Sequence, residues 1–169
     1  MSALRLRPLR LEDESDARLA HGELQADNFS FLLGWDPQEP WAGYLRRCAE
    51  HRLGVGVQPG WVPSTFLGAC LGAALVGRIS IRHSLNEFLA SFGGHIGYCV
   101  RPAHRGQGLA GEILRQGLIV ARAEGIERVL VTCDEGNLAS ARVIERNGGV
   151  LEDVRPDPDG PAKRRYWIE

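Results

Sequence analysis

Gly106-Gln107-Gly108-Leu109-Ala110-Gly111 puts three glycines into six residues directly ahead of a helical pattern, and nothing else in the chain limits its fold so sharply. Ala110, Ile113, Leu114, Gly117, Leu118 and Ala121 recur at three- and four-residue spacing as one apolar helix face, with Gly125 as the C-terminal stop. His95 to Val100, bounded by Gly93-Gly94 and Pro102, reads as the strand before this loop, and Arg128 to Thr132 as a buried strand after the helix. Glycines at a helix start weaken the helix, so they call for a reason. A loop of small residues opening a helix supplies one: its free N–H groups and the positive end of the dipole form a site for a pyrophosphate. Arg105 adds a charge-assisted donor beside it.

The same residues match G-x-G-x-x-G, and Asp134 ends the next strand roughly 20 residues on, as a dinucleotide-binding turn requires. That turn, however, has its first glycine at the strand end, whereas Arg-Pro-Ala-His-Arg separates Val100 from Gly106. It also belongs to folds with several β-α-β units, and only one is found here. A glycine-rich surface turn without a ligand is the remaining alternative.

Ahead of this unit the chain reads as mostly antiparallel. Leu4, Leu6 and Leu9 lie in a short extended segment, and the acidic stretch Glu12 to Asp16 opens a helix running to about Ala26. Pro37, Pro40, Pro59 and Pro63 surround a helical stretch, Ala42 to Arg52, so residues 34–63 read as an irregular, substrate-facing insertion. Thr65 to Leu71 and Ala74 to Ile81 form a hairpin across Gly72, and Asn86 to Ser91 one helical turn. After the β-α-β unit, Asn137 caps a helix from about Leu138 to Arg146 that stops at Gly148, followed by strands near Val150 to Val154 and Arg165 to Ile168. The expected fold class is an α/β sandwich with one parallel crossover.

The length of 169 residues fits a single domain, 1–169, with a core that needs no metal or disulfide staple. A formal net charge of -1 argues against a nucleic-acid partner. The small basic clusters, Arg5, Arg7 and Arg10 and then Lys163 to Arg165, read as solvated faces. Cys48, Cys70, Cys99 and Cys133 form no C-x-x-C pair, and there is no charged-then-apolar leader, so reduced thiols and a cytoplasmic location are expected. Phe66 to Val76, the longest nearly apolar run, is far shorter than the roughly 20 residues that span a bilayer, so no membrane association is expected. No His/Cys/carboxylate cluster has metal-ligand spacing.

Val100-Arg-Pro-Ala-His-Arg105-Gly106-Gln-Gly108-Leu-Ala110 resembles the acetyl-CoA signature of the GNAT superfamily, V-x-P-x-x-R-G-x-G-x-A/G. Asn137-Leu-Ala-Ser140 with Glu145-Arg-Asn-Gly148 resembles its second motif. The likeness is strong over Val76 to Glu152. Arg82-His83-Ser-Leu85-Asn86 and Gly94-His95-Ile-Gly97-Tyr98 further resemble a subgroup known mainly as predicted acetyltransferases.

The resemblance implies a mixed, mostly antiparallel sheet with splayed central strands and flanking helices. It also implies acetyl-CoA as cosubstrate, held by Val100, Arg105, Gly106, Gln107, Gly108, Leu109, Ala110 and Asn137, with no metal. The acetyl acceptor would be a primary amine on a small molecule, peptide or protein, and the enzyme a monomer or homodimer. A main-chain N–H near Tyr98 or Cys99 would polarise the thioester carbonyl. Ile144 stands where the family often has a tyrosine acid, leaving Ser140, Tyr98 or Tyr166 to protonate the leaving thiolate. His95 is the candidate base, with His83, Glu87, Asp134 or a water relay behind it, although a histidine on a strand face is more often structural. His95 and Cys99 lie about 13 Å apart along the strand, too far for a thiolate pair. Without the tyrosine, a catalytically degenerate CoA-binding regulatory module is the alternative.

Overall fold

The computed structural model describes residues 3–169; Met1 and Ser2, which the single-domain reading includes, lie outside the described residues. Its elements are β1 (Leu4–Arg7), α1 (Glu14–Gln25), α2 (Trp41–Arg52), β2 (Ser64–Leu71), β3 (Ala74–Arg82), β4 (Ile96–Val100), α3 (Leu109–Ala123), β5 (Val129–Asp134), α4 (Leu138–Arg146), β6 (Val150–Arg155) and β7 (Lys163–Ile168). They build one seven-stranded sheet in the order β1-β2-β3-β4-β5-β7-β6, antiparallel except where β4 meets β5. This is the mixed, mostly antiparallel α/β architecture expected.

Alternation along β3 divides the core into two layers. Ile79 and Ile81 point toward α3 and join Ile113, Leu114 and Leu118 in the larger cluster, which also takes Val129, Val131 and Cys133 of β5. The opposite face carries a second cluster in which Ala17, Ala20 and Leu24 of α1 meet Trp41 and Tyr44 of α2. α3 sits close on the sheet because Gly117 has no side chain: a Cβ there would lie 2.2 Å from Ile79 Cδ1. β3 and β4 are equally tight at Gly77, where a Cβ would meet the Cys99 carbonyl oxygen at 2.3 Å.

Two sequence expectations need correction. Residues 34–63 are not wholly an irregular insertion. Trp41 and Tyr44 are buried, with Trp41 Nε1 donating to Arg10 O at 3.0 Å and the Tyr44 hydroxyl to Leu33 O at 3.1 Å, so α2 is a core helix. The turn expected at Asn86 to Ser91 is present: Asn86 O accepts the Ala90 N–H at 2.8 Å and its side chain the Leu89 N–H, and the turn runs on as a π-turn at Leu89–Gly93. The Lys163 to Arg165 cluster is not a solvated face, since Arg165 is buried and paired with Glu152 and Asp153.

Candidate functional site

The parallel contact that brings β4 beside β5 is a single register pair, Ile96 with Val131, after which the strands diverge. His95 closes the narrow end of this gap. Its N–H donates to Leu130 O at 2.7 Å, and its Nδ1 accepts the Leu130 N–H at 2.9 Å. On the other edge of β4, Arg82 N–H donates to His95 O and Arg101 N–H to Val76 O. The residues bonded to β3 are therefore Gly97 and Cys99, and the N–H groups of Tyr98 and Val100 turn toward β5 into the gap. Of the two donors considered from sequence, Tyr98 N–H faces the opening and Cys99 N–H belongs to the ladder.

The gap opens onto a cleft of ≈ 630 Å³ lined by Tyr98, Cys99 and Val100, by the glycine loop, and by Asn137, Ser140 and Val143 of the α4 region. Gly106 and Gly108 hold left-handed φ values of 76° and 77°, where a side chain is strained. Nothing stands within 4 Å of a Cβ built on Gly106, Gly108 or Gly111, so the loop faces open space. The third glycine of the dinucleotide pattern serves close helix–strand packing. Gly111 does not, and that reading loses its physical basis. Gly108 is the N-cap of α3, and among the described residues no side-chain cap satisfies the free N–H groups of the helix's first turn. The cradle thus has the chemistry of an anion site.

Arg105 flanks the cradle with Nε donating to Val100 O at 3.1 Å and Nη2 to Asp27 Oδ2 at 2.6 Å. It bridges the cleft wall to the segment after α1. Asn137 Oδ1 accepts the Ser140 N–H at 3.1 Å, so the N-cap is made, and the Asn137 side chain still lines the cleft. The sequence reading did not assign Leu24, Asp27 and Phe29 to the cofactor cleft; they come from the end of α1 and the segment after it to complete the wall. No local pattern ties these residues to a loop some 80 positions away.

Two acid candidates meet. The Tyr98 hydroxyl lies 2.8 Å from Ser140 Oγ, and burial pushes the Tyr98 phenol up to about 12, the serine contact acting against it. Ile144, in place of the family tyrosine, is fully buried. Tyr166 is fully buried too and donates to Glu145, away from the cleft, which removes it as an acid.

His95 is 7 % exposed and does not line the cleft. Because Nδ1 accepts a main-chain N–H, the proton of the neutral ring sits on Nε2, and no free lone pair remains to take another. The geometry makes this residue a clamp between β4 and β5. His83 is bound to Thr65 Oγ1 at 2.8 Å, outside the cleft, and Glu87 does not line the cleft either. Asp134 does, with Lys163 as its ion-pair partner. Among the described residues no group of His, Cys, Asp and Glu could hold a metal, and no helix is long and apolar enough to cross a membrane.

Residues 3–150 match the family described as acetyltransferase (GNAT) domain. Comparison with curated proteins by sequence finds no match. Among solved structures, Mycobacterium smegmatis RimJ in complex with CoA-disulfide superposes with a TM-score of 0.71 at 21% identity, over 99% of this chain and 82% of that one. RimL, the ribosomal L7/L12 alpha-N-protein acetyltransferase, in complex with coenzyme A, gives 0.69 at 18% over 99% and 94%. An N-acetyltransferase from Staphylococcus aureus Mu50 gives 0.65 at 16% over 99% of both chains. With a family match spanning most of its length and the family's splayed strands and glycine cradle in place, the chain belongs to the GNAT acetyltransferases.

Proposed function

We propose that the protein is a single-domain acetyltransferase that moves the acetyl group of acetyl-CoA directly to a primary amine. The observation that carries this reading is the gap beyond Ile96 and Val131, which turns the Tyr98 N–H toward a cleft that has the glycine cradle on one side and the Tyr98–Ser140 pair on the other. The free N–H groups of Gly106 to Ala110 fit a pyrophosphate, and the edge of β4 at Val100, with Asn137 opposite, fits an extended amide-bearing arm. Acetyl-CoA, when bound, supplies the activated acetyl thioester. Tyr98 N–H is the donor for the carbonyl oxygen that gains charge when the amine attacks. The Tyr98 hydroxyl, still protonated at neutral pH and relayed by Ser140, is the proton source for the departing sulfur, and the proton that the attacking nitrogen loses as the amide forms passes to water.

The test is thiol release from acetyl-CoA with a panel of small amines, aminoglycosides and N-terminal peptides, on the wild type and on Tyr98→Phe. Turnover with at least one amine is expected, and Tyr98→Phe should lose about 10² to 10⁴ in kcat, the usual worth of a general acid. CoA affinity should be retained. The buried Ile144 favours one other reading, a CoA-binding regulatory module. Tight CoA binding with no thiol release for any acceptor would select it.

A further inference from the structure

β3 carries Arg78, Ser80 and Arg82 on the face away from α3, opposite Ile79 and Ile81. Arg78 is 2 % exposed, and each partner it has is neutral: Nε donates to Phe31 O at 3.1 Å, Nη1 to Gly97 O at 3.0 Å and Nη2 to Ser30 O at 2.6 Å. Its guanidinium also lies over the Phe29 ring at 4.5 Å. Arg82 gives Nη1 to the carbonyls of Gly93 and Gly94 at 3.0 and 3.3 Å, and no acceptor among the described residues takes its Nε or Nη2. Burial, then the charge of Arg78, lowers the Arg82 guanidinium to about 10, and no carboxylate offsets either effect. The other two buried arginines differ, Arg101 being paired with Glu23 and Arg165 with Glu152 and Asp153. Arg78 is buried and Arg82 half-buried beside it, and two adjacent guanidinium charges without an acid are costly to hold this far from water unless something anionic joins them.

Their position says where that group sits. A Cβ on Gly97 would lie 3.5 and 3.6 Å from the Arg82 Nη atoms and 3.8 Å from Arg78 Nη1. Gly97 is not among the glycines with positive φ, so its backbone does not require glycine. Its missing side chain instead leaves room directly in front of the guanidinium fork. Gly97 precedes Tyr98, whose N–H faces the gap. Ser80 pairs with Gly97 and Ile79 with Tyr98, so the arginines lie on the sheet face opposite the Tyr98 side chain, where Phe29, under Arg78, also lines the cleft. An acceptor amine has to reach the gap from this side if the cleft holds acetyl-CoA.

We infer that the acceptor is an amine carrying an oxyanion, a carboxylate or phosphonate a few atoms from its nitrogen, which seats on the free edge of Arg82 with Arg78 fixed behind it. This rests on the acetyltransferase reading and names its substrate class. Arg82 is the specificity-determining contact; Arg78, held by three carbonyls, keeps the site positive.

The experiment compares matched acceptors by thiol release: a free α-amino acid with its amide, an aminoalkylphosphonate with the neutral amine of equal length, and peptides with Glu or Gln at the second position. The anionic member of at least one pair should be favoured by about tenfold or more in kcat/KM, as expected of a charge-assisted bidentate contact. Arg82→Gln should bring that ratio close to one by raising KM for the anionic member, with CoA affinity and thermal midpoint as controls. A preference confined to free amino acids or phosphonates puts the oxyanion on a small molecule, and one confined to the Glu peptide puts it on a protein terminus. Calorimetry of the same acceptors with the CoA-loaded protein separates the two levels of the argument. Anion-selective binding that Arg82→Gln removes, without thiol release, would sustain the site and sink the transfer reading. Equal handling of charged and neutral members in both binding and turnover would overturn the inference.

Discussion

His95 shows how a single side chain can be fixed by the proton it does not carry. Burial, and after it the Arg82 charge, lowers the imidazole from its ordinary value of 6.5. In acid the unfolded chain therefore takes up the proton first, and stability rises with pH wherever the unfolded state holds more protons. The His95 contribution is complete above about pH 6.5 and drains away as pH falls from there toward the depressed folded value. His21, lowered by burial with its Nδ1 accepting the Leu32 N–H, acts with the same sign. The thermal midpoint of the wild type should fall more steeply between about pH 7 and 5 than that of His95→Gln, whose amide oxygen can still accept the Leu130 N–H. Parallel curves would show that the ring titrates normally. Because its Nδ1 lone pair is occupied, His95→Gln should also leave the midpoint of the acidic limb of kcat/KM where it was. A displaced limb would restore His95 as the base.

At the scale of elements, glycines in the same sheet-and-helix unit do opposite jobs, and substitution separates them. Gly77→Ala pushes a Cβ into the Cys99 carbonyl oxygen, a main-chain atom that cannot rotate away, and should weaken the β3–β4 ladder that carries the gap. Overpacking of this kind costs about 1–3 kcal/mol, and for a chain of this size each kcal/mol lowers the midpoint by about 2–4 °C. A Cβ at 108 meets no atom within 4 Å, but Gly108→Val must hold φ near 77°. It should reduce CoA affinity at least tenfold, read by calorimetry, because the side chain enters the space facing the cradle. Asn137 separates similarly. Asn137→Ala should lose the cap of α4, worth about 0.5–2 kcal/mol. Asn137→Asp should keep the cap and the midpoint yet still lose CoA affinity, if the amide N–H is what reaches the arm. Unchanged affinity in Asn137→Asp would leave the residue as a cap alone.

Over the whole molecule, the sheet contains one parallel contact in seven strands, and the helix that follows β4 is reached from Val100 by an eight-residue loop, 101–108. A dinucleotide needs the crevice between two β-α-β halves, and this topology has no second half. CoA should therefore bind more tightly than NAD or ATP in parallel calorimetric titrations; tighter binding of NAD would contradict the proposed site. Cleft and gap are also joined through distant chain segments. Asp27 comes from beyond α1 to Arg105, and Ser30 and Phe31 cover Arg78, so α1 and the segment after it shape both sides of the gap.

The local patterns determined most elements and the cradle. Ala110 to Ala121 has the period of a helix, Asn137 the chemistry of a cap, and glycine at 106 and 108 the freedom that a left-handed turn demands, all of which act over a few residues and are written in them. The sequence also placed Tyr98 and Ser140 on the short roster of acids. It could not say that their oxygens meet, because a strand and a helix 42 positions apart come together only when β4 and β5 align. Nor could it assign His95. A histidine in an extended segment reads as base or scaffold alike until the Leu130 N–H is seen on Nδ1. The basic residues show the same division. Arg78, Arg101 and Arg165 are one letter in the sequence, and only tertiary structure decided which would find a carboxylate and which would be buried without one, since ion pairing depends on what the fold brings within a few ångströms.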